Sequence, residues 1–358
     1  MLHYRELTTS LPNTLFVPSS MSQFIQSGAI DRIHWRFKFV KRVIVYWVIG
    51  RVFGLVPEKQ NIVSAQRILW INFSAPSLGD SLMDLSARVL LADKEVDLFT
   101  SPKNSKLYRA DSWFKNVFDH ADHVRRGYDV VICDSYAPRV LWKKFLVAPF
   151  TPLTSMYGFL NGFDLNRTYF AFARMLQLLG KTRTTCAMRP YLSLDLDIKT
   201  NADLCIAVGG EWSFRTYRHW DVVIEQLISL GVVIHLVGGP NGRAEHETLI
   251  ERYPTITSSV GNRLDEVASE IANTLIFMGA DGGLWHIACA VNRPTVALFA
   301  DCEIFDEDGK RQMRDTADLI CETLYDADEV SNIDPHLIVD AYLSLRERLK
   351  NDIVESAM

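Results

Sequence analysis

The chain has 358 residues, room for two α/β domains, and 48% hydrophobic with 23% charged side chains is ordinary globular composition. Its formal net charge of −5 gives no support to nucleic-acid binding. The six cysteines, Cys133, Cys186, Cys205, Cys289, Cys302 and Cys321, are scattered with no C-x-x-C pair, which speaks against a zinc site or a disulfide framework and fits a reduced, cytoplasmic setting.

Residues 1 to about 28 have weak periodicity and read as irregular. They lack the basic start, apolar run and small-residue cleavage site of a secretory signal. From Asp31 to Val52 apolar residues recur at helical spacing: Ile33, Phe37, Val40, Ile44 and Val48. Arg32, Arg36, Lys38, Lys41 and Arg42 accompany them, with Trp35 and Trp47 nearby. A basic, aromatic, amphipathic helix can lie on an anionic membrane surface. The plainer alternative is a helix packed on the first domain with its basic face in water. The apolar run from Val43 to Gly50 is too short to span a bilayer and is interrupted by Arg51.

Gly54 to Gln66 reads as a connector, and Arg67 to Phe73 as the first strand. The loop Ser74-Ala75-Pro76-Ser77-Leu78-Gly79-Asp80 follows, and then a helix over Leu82 to Leu91. Glu95 to Thr100 and Asp129 to Asp134 are further strands. Strands alternating with helices predict a parallel sheet. Between about 136 and 200 the pattern is weak, apart from a helix over Phe170 to Leu179. A second set opens with a strand at Asp203 to Val208 and continues with a helix over Trp220 to Leu230 and a strand at Val232 to Val237. Helices over Ala244 to Arg252 and Leu264 to Ala272 follow, then strands at Thr274 to Met278 and Arg293 to Phe299. A long helix over Ile333 to Leu349 ends the pattern.

Four segments at predicted strand ends could carry chemistry. Asp80 stands where ligands of open α/β sheets gather, and its carboxylate could serve as a general base; equally, Asp at such a junction often caps the helix that follows. In Glu211 to Trp220, Arg215 and Arg218 could hold a diphosphate, with Ser213 adding a hydroxyl; the alternative is a solvated loop. After Gly238-Gly239-Pro240, Glu247 or Glu245 could accept bonds from ribose hydroxyls, although acids are also favoured at any helix N-terminus. In Asp281-Gly282-Gly283 the glycines allow a close backbone approach, and the helix beginning there presents unpaired N–H groups suited to phosphate. His286 lies one turn further on.

In order and spacing these segments resemble glycosyltransferase family 9, the ADP-heptose lipopolysaccharide heptosyltransferases. The marks are Ser77-Leu78-Gly79-Asp80, Arg218-His219-Trp220, Gly238-Gly239-Pro240 with Glu247, and Asp281 to His286 through Pro294 to Phe299. The resemblance covers roughly residues 67 to 300, is weak between about 101 and 200, and is absent before about 60. It implies an α/β, GT-B-like fold: two Rossmann-like domains with parallel sheets facing across a cleft, plus an N-terminal helical extension. The implied divisions are 1–66 for the extension, 67–195 for the acceptor-side domain, 196–332 for the nucleotide-sugar domain and 333–358 for the C-terminal helix.

The resemblance also implies an inverting transfer that needs no metal or cofactor. Asp80 would be the catalytic base. Arg218 falls where the family usually has a phosphate-binding lysine, and Ser213 where a phosphate-contacting hydroxyl is found. Glu247 would hold the ribose and Asn262 would lie near the adenine. Asp281, Gly282, Gly283 and His286 would face the diphosphate and sugar. This chain has Asp281-Gly282-Gly283 where the family usually has Asp-Ser-Gly or Asp-Thr-Gly, so one hydroxyl is missing. The expected activity is transfer of heptose from ADP-heptose to a lipid-linked glycan of the lipopolysaccharide core, in the cytoplasm, with peripheral contact on the inner face of an anionic membrane. Two alternatives stay open: another nucleotide-sugar donor, or a non-catalytic glycan- or partner-binding member of the same fold. A redox enzyme is disfavoured because the first loop lacks G-x-G-x-x-G.

Overall fold

The computed structural model describes residues 61–75, 77–156, 167–194, 202–300 and 320–357, together with residues 37, 40, 41, 44, 45, 47 and 48. The chain divides into two compact units, with the boundary between Met188 and Arg189.

In the first unit five strands are hydrogen-bonded in the order β3-β2-β1-β4-β5, all parallel: β1 (Arg67–Asn72), β2 (Glu95–Thr100), β3 (Asn116–Phe118), β4 (Val130–Cys133) and β5 (Leu153–Ser155). The helices are α1 (Leu78–Asp84), α2 (Pro102–Arg109), α3 (Pro138–Val147) and α4 (Arg167–Leu178). β1 and β4 are continuous apolar runs because both faces of a parallel sheet are covered. Leu69, Ile71, Val131, Cys133 and Leu153 point to one face, where they are fully buried against Val140, Leu141 and Val147 of α3. Cys133 is thus a small core hydrophobe.

The second unit holds six parallel strands in the order β11-β10-β9-β6-β7-β8. They are β6 (Leu204–Ala207), β7 (Ile234–Val237), β8 (Thr257–Ser258), β9 (Ile276–Ala280), β10 (Thr295–Ala300) and β11 (Cys321–Asp326). Its helices are α5 (Trp220–Ser229), α6 (Arg243–Arg252), α7 (Leu264–Asn273), α8 (Gly283–Ala290) and α9 (Pro335–Ala357). Ile338, Val339, Tyr342 and Leu345 of α9 join Val223, Ile224 and Leu227 of α5 in one buried cluster. Tyr217 secures the approach to α9 by donating its hydroxyl proton to the Ile333 carbonyl at 3.0 Å. In each sheet the strand order reverses direction once, between β1 and β4 and between β6 and β9. A doubly wound sheet leaves its crevice there, beyond the carboxyl ends of the strands.

Several sequence expectations shift. The first helix begins at Leu78, four residues before the expected Leu82, and a 3-10 turn, Ser86–Leu91, replaces its second half. The strand expected at Thr274 to Met278 runs from Ile276 to Ala280. Thr274 instead closes α7, donating both its N–H and its hydroxyl to the Ile271 carbonyl. α2, α3, β3, β5, β8 and β11 complete the sheets without a clear sequence signal. In the N-terminal segment Phe37, Val40, Lys41, Ile44, Val45, Trp47 and Val48 are helical, as expected; Asp31 to Arg36 and residues 1–28 lie outside the described residues. No helix among the described residues is long and apolar enough to cross a membrane.

Candidate functional site

At the carboxyl edge of the first sheet, Ser77 starts α1. Its hydroxyl accepts the Asp80 N–H at 3.2 Å, while its own N–H and hydroxyl donate to Asp80 Oδ2 at 3.1 and 2.7 Å. This reciprocal capping box satisfies helix-end donors and fixes the carboxylate in place. The N-cap is therefore Ser77, and Asp80 is the third helical residue rather than a cap for a helix starting at Ser81. Asp80 Oδ1 lies 3.5 Å from the Arg167 guanidinium, which also binds Asp84 through two bonds of 2.9 and 2.6 Å. Arg167 carries no sequence mark. It reaches the site from the start of α4 and orders two acids of α1 at once.

Asp134, the residue after β4, binds the loop that follows β1. Its carboxylate accepts the N–H of Phe73 at 2.7 Å, the N–H of Ser74 and the Ser74 hydroxyl. Burial pushes its carboxyl up to about 6 against the pull of those bonds. Arg139 at the start of α3 donates to the Ser74 carbonyl at 2.9 Å. Asp134 and Arg139 hold the strand end from which the Asp80 loop departs. The only sequence signal for Asp134 was an acid directly after an apolar strand.

Because every strand of the second sheet is parallel to its neighbours, the segments after β6, β7, β8 and β9 emerge at one edge. Ser213 and Arg218 follow β6, Gly238 to Pro240 follow β7, Asn262 follows β8, and Gly282 and Gly283 follow β9. The single edge thus collects the candidate donor residues Ser213, Arg218, Asn262, Asp281, Gly282 and Gly283, while Glu247 and His286 lie within α6 and α8. Ser213, Arg218, Glu247 and Asn262 are all exposed.

The loops on this edge are packed backbone to backbone. Gly209 has φ +78, and a Cβ there would fall 2.6 Å from the Gly242 Cα, so glycine is required by both conformation and space. Gly282 differs. Its backbone is extended, and a Cβ would meet only the Ala280 carbonyl oxygen, at 3.8 Å. Glycine there leaves room beside the N-terminus of α8.

Asp281 is turned inward. Its side chain is 0% exposed; Oδ2 sits 3.2 Å from Arg215 Nη1 and Oδ1 3.8 Å from His286 Nε2. The Arg215 guanidinium also lies over the rings of Trp212 and Phe214, 4.7 and 5.2 Å from their centroids. Arg215, one of the two cations suggested for a diphosphate, is thus paired with Asp281, whereas Arg218 is exposed. Asp281 and His286 brace the turn from within, and the Asp281 N–H ties it to the Leu298 carbonyl at 2.9 Å. Of the two acids considered for ribose, Glu245 is half-buried in the first turn of α6, accepts the Gly209 N–H and is pushed up to about 7 by burial, while Glu247 is exposed.

Residues 191–305, the segment that builds this edge, match the profile of glycosyltransferase family 9 (heptosyltransferase). A stretch of 89 residues is 33% identical to lipooligosaccharide heptosyltransferase 2 of Haemophilus influenzae, covering 23% of this chain and 26% of that protein. The chain thus spans about a quarter of that curated relative. Among solved structures, an E. coli heptosyltransferase, WaaC, with ADP superposes with a TM-score of 0.63 at 14% identity, over 78% of this chain and 100% of that one. A family 9 glycosyl transferase from Veillonella parvula gives 0.61 at 15% identity, over 78% and 97%. The E. coli ADP-heptose heptosyltransferase II gives 0.56 at 17%, over 80% and 100%. At those identities the structural likeness shows the fold, which is GT-B-like with two parallel-sheet α/β units. The sheet edge just described is therefore built by the segment, residues 191–305, over which this chain matches glycosyltransferase family 9 (heptosyltransferase).

Proposed function

We propose that the chain is an inverting, metal-independent glycosyltransferase that moves heptose from ADP-heptose to a lipid-linked glycan acceptor of the lipopolysaccharide core, at the cytoplasmic face of a membrane. The observation that carries the proposal is the edge of the second sheet. Arg218, Ser213, Asn262 and the Gly282-Gly283 turn collect there on loops of the family-matched segment. A diphosphate suits a helix N-terminus with an adjacent arginine, because N–H groups and a guanidinium supply directed positive charge.

In the proposed reaction Asp80 takes the proton of the acceptor hydroxyl as its oxygen bonds to the anomeric carbon. The bond from that carbon to the diphosphate breaks on the opposite face, and the electron pair leaves with ADP. Positive charge develops on the sugar and negative charge on the leaving group. Arg218 and the N–H groups at the start of α8 steady the latter without a metal. Glu245 or Glu247 would hold the ribose hydroxyls, and Asn262 would lie near the base.

The direct test is transfer from ADP-heptose to a panel of truncated core lipids, preceded by thermal stabilisation with ADP and with UDP. Stabilisation by ADP alone is the expected result. Stabilisation by UDP alone would replace the donor, and no response to either would favour a non-catalytic binding role. Arg218→Ala is expected to weaken ADP binding by about 1.5–3 kcal/mol, the range for a hydrogen bond to a charged group. Its melting temperature should stay that of the parent because the side chain is exposed. An unchanged dissociation constant would remove Arg218 from the phosphate site. Gly282→Ser has room for its Cβ and should tighten ADP binding by about 0.5–1.5 kcal/mol by supplying a hydroxyl. Calorimetry with ADP measures both.

A further inference from the structure

The first unit exposes large apolar side chains on two of its helical elements. In the N-terminal helical segment the periodic stripe faces out: Phe37 is 68% exposed, and Val40, Ile44, Trp47 and Val48 are exposed with it. Among the described residues of the segment Val45, off that stripe, packs against the buried cluster that includes Leu69, Ile71, Val131, Cys133 and Leu153. α3 covers the same cluster with Val140, Leu141 and Val147. Its outer side carries Trp142 and Leu146, and Phe150 just beyond it is 83% exposed. Two neighbouring elements on one sheet face thus hold their large apolar side chains in water, an arrangement that marks an interaction surface.

Charge narrows the partner. The sequence from 32 to 57 has six lysines and arginines and no acid, in a chain whose overall charge is −5; on α3 the exposed cation is Arg139, since Lys144 is buried on the Pro149 carbonyl and the Lys143 ammonium lies over the Phe73 and Phe99 rings. Tryptophan and phenylalanine flanked by unopposed basic residues suit the headgroup boundary of an anionic bilayer, where the rings enter the apolar margin and the cations meet phosphates.

We propose that the stripe of the N-terminal helical segment and the Trp142–Leu146–Phe150 stripe of α3, held on one buried cluster of the first unit, form a single docking surface for an anionic lipid bilayer. The proposal rests on the membrane-side reading above and deepens it by adding α3 as a second anchor. Two modest anchors hold a protein on a membrane where one gives only marginal, reversible binding. Lys41 and Arg139 lie beside the two stripes.

The test is flotation of the full chain with vesicles of phosphatidylcholine containing phosphatidylglycerol, against vesicles of phosphatidylcholine alone. The chain should float with the former and stay with the soluble fraction in the latter. Trp142→Ser with Phe150→Ser, and separately Phe37→Ser with Trp47→Ser, should each lower partitioning about tenfold or more, because each removes one of the two anchors. Thermal melts and the response to ADP should stay unchanged in both. Equal flotation with both vesicle types, or variants that float like the parent, would overturn the proposal. So would a concentration-dependent dimer abolished by both variants, which would assign the surface to a second copy of the chain. Failure of the donor assignment would show separately, as a parent chain that ignores ADP yet still floats.

Discussion

Asp281→Ala should destabilise the second unit by about 3–5 kcal/mol, the usual result of stripping one partner from a buried ion pair. The Asp281 side chain is inaccessible and the Arg215 side chain is 12% exposed, so water cannot replace the lost carboxylate. The aromatic faces of Trp212 and Phe214 would remain, but ring quadrupoles compensate a buried guanidinium only in part. The loss reaches further than one contact. Asp281 follows β9 and Arg215 follows β6, so the pair spans the point where the strand order reverses. Releasing it frees the loop that carries Ser213 and Arg218 together with the turn that carries Gly282 and Gly283.

A melting temperature lower by on the order of 10 °C is expected for a unit of this size. ADP binding should weaken as well, because the groups proposed to face the phosphates lose their fixed geometry. Asp281→Asn should lose less, since the amide oxygen can still accept from Arg215. A thermal melt of the two variants beside the parent makes the comparison. If Asp281→Ala melts with the parent, the pair is not what braces this edge.

The parts of the fold legible in the sequence are those where burial on both faces writes a continuous apolar run. β1, β4, β6 and β10 carry such runs, and each overlaps the segment where the pattern places it. β3, β5 and β8 have three, three and two residues, too few to show any period. α3 escaped notice for a different reason: Trp142 and Leu146 stand on the side opposite Val140 and Val147, so the helix is apolar nearly all round and its amphipathic rhythm is blurred. The same feature that hid α3 makes its surface informative.

At the candidate site, the glycine turns and strand-end acids were visible because their chemistry is local. The ion pairs were not. Arg167 with Asp80 and Asp84, Arg215 with Asp281, and the buried pair of Arg88 with Asp111 join residues distant in sequence. Nothing in a single chain's residue order says which cation will meet which acid. For Arg215 the partner is Asp281, 66 residues away in sequence, a pairing that residue order does not announce.

Asp80→Asn should reduce transfer by about 10²–10⁴-fold, the usual contribution of a positioned general base, while leaving ADP binding intact. Asparagine has nearly the same shape, and its side-chain oxygen can still accept the Ser77 N–H and hydroxyl. What it cannot do is take a proton. The position also lies in the first turn of α1, where a carboxylate gains about 0.3–1 kcal/mol from the helix dipole, so a small fall in stability accompanies the change. That fall is too small to unfold the unit, which makes activity the decisive measurement.

The capping box gives the proposed base its rigidity: Ser77 restrains one carboxylate oxygen while the other faces Arg167. A purely structural Asp80 predicts the opposite pattern, with stability lowered and turnover kept. Measuring transfer, ADP affinity and melting temperature together on Asp80→Asn separates the two, and transfer at the parent rate would reduce Asp80 to a helix-capping residue.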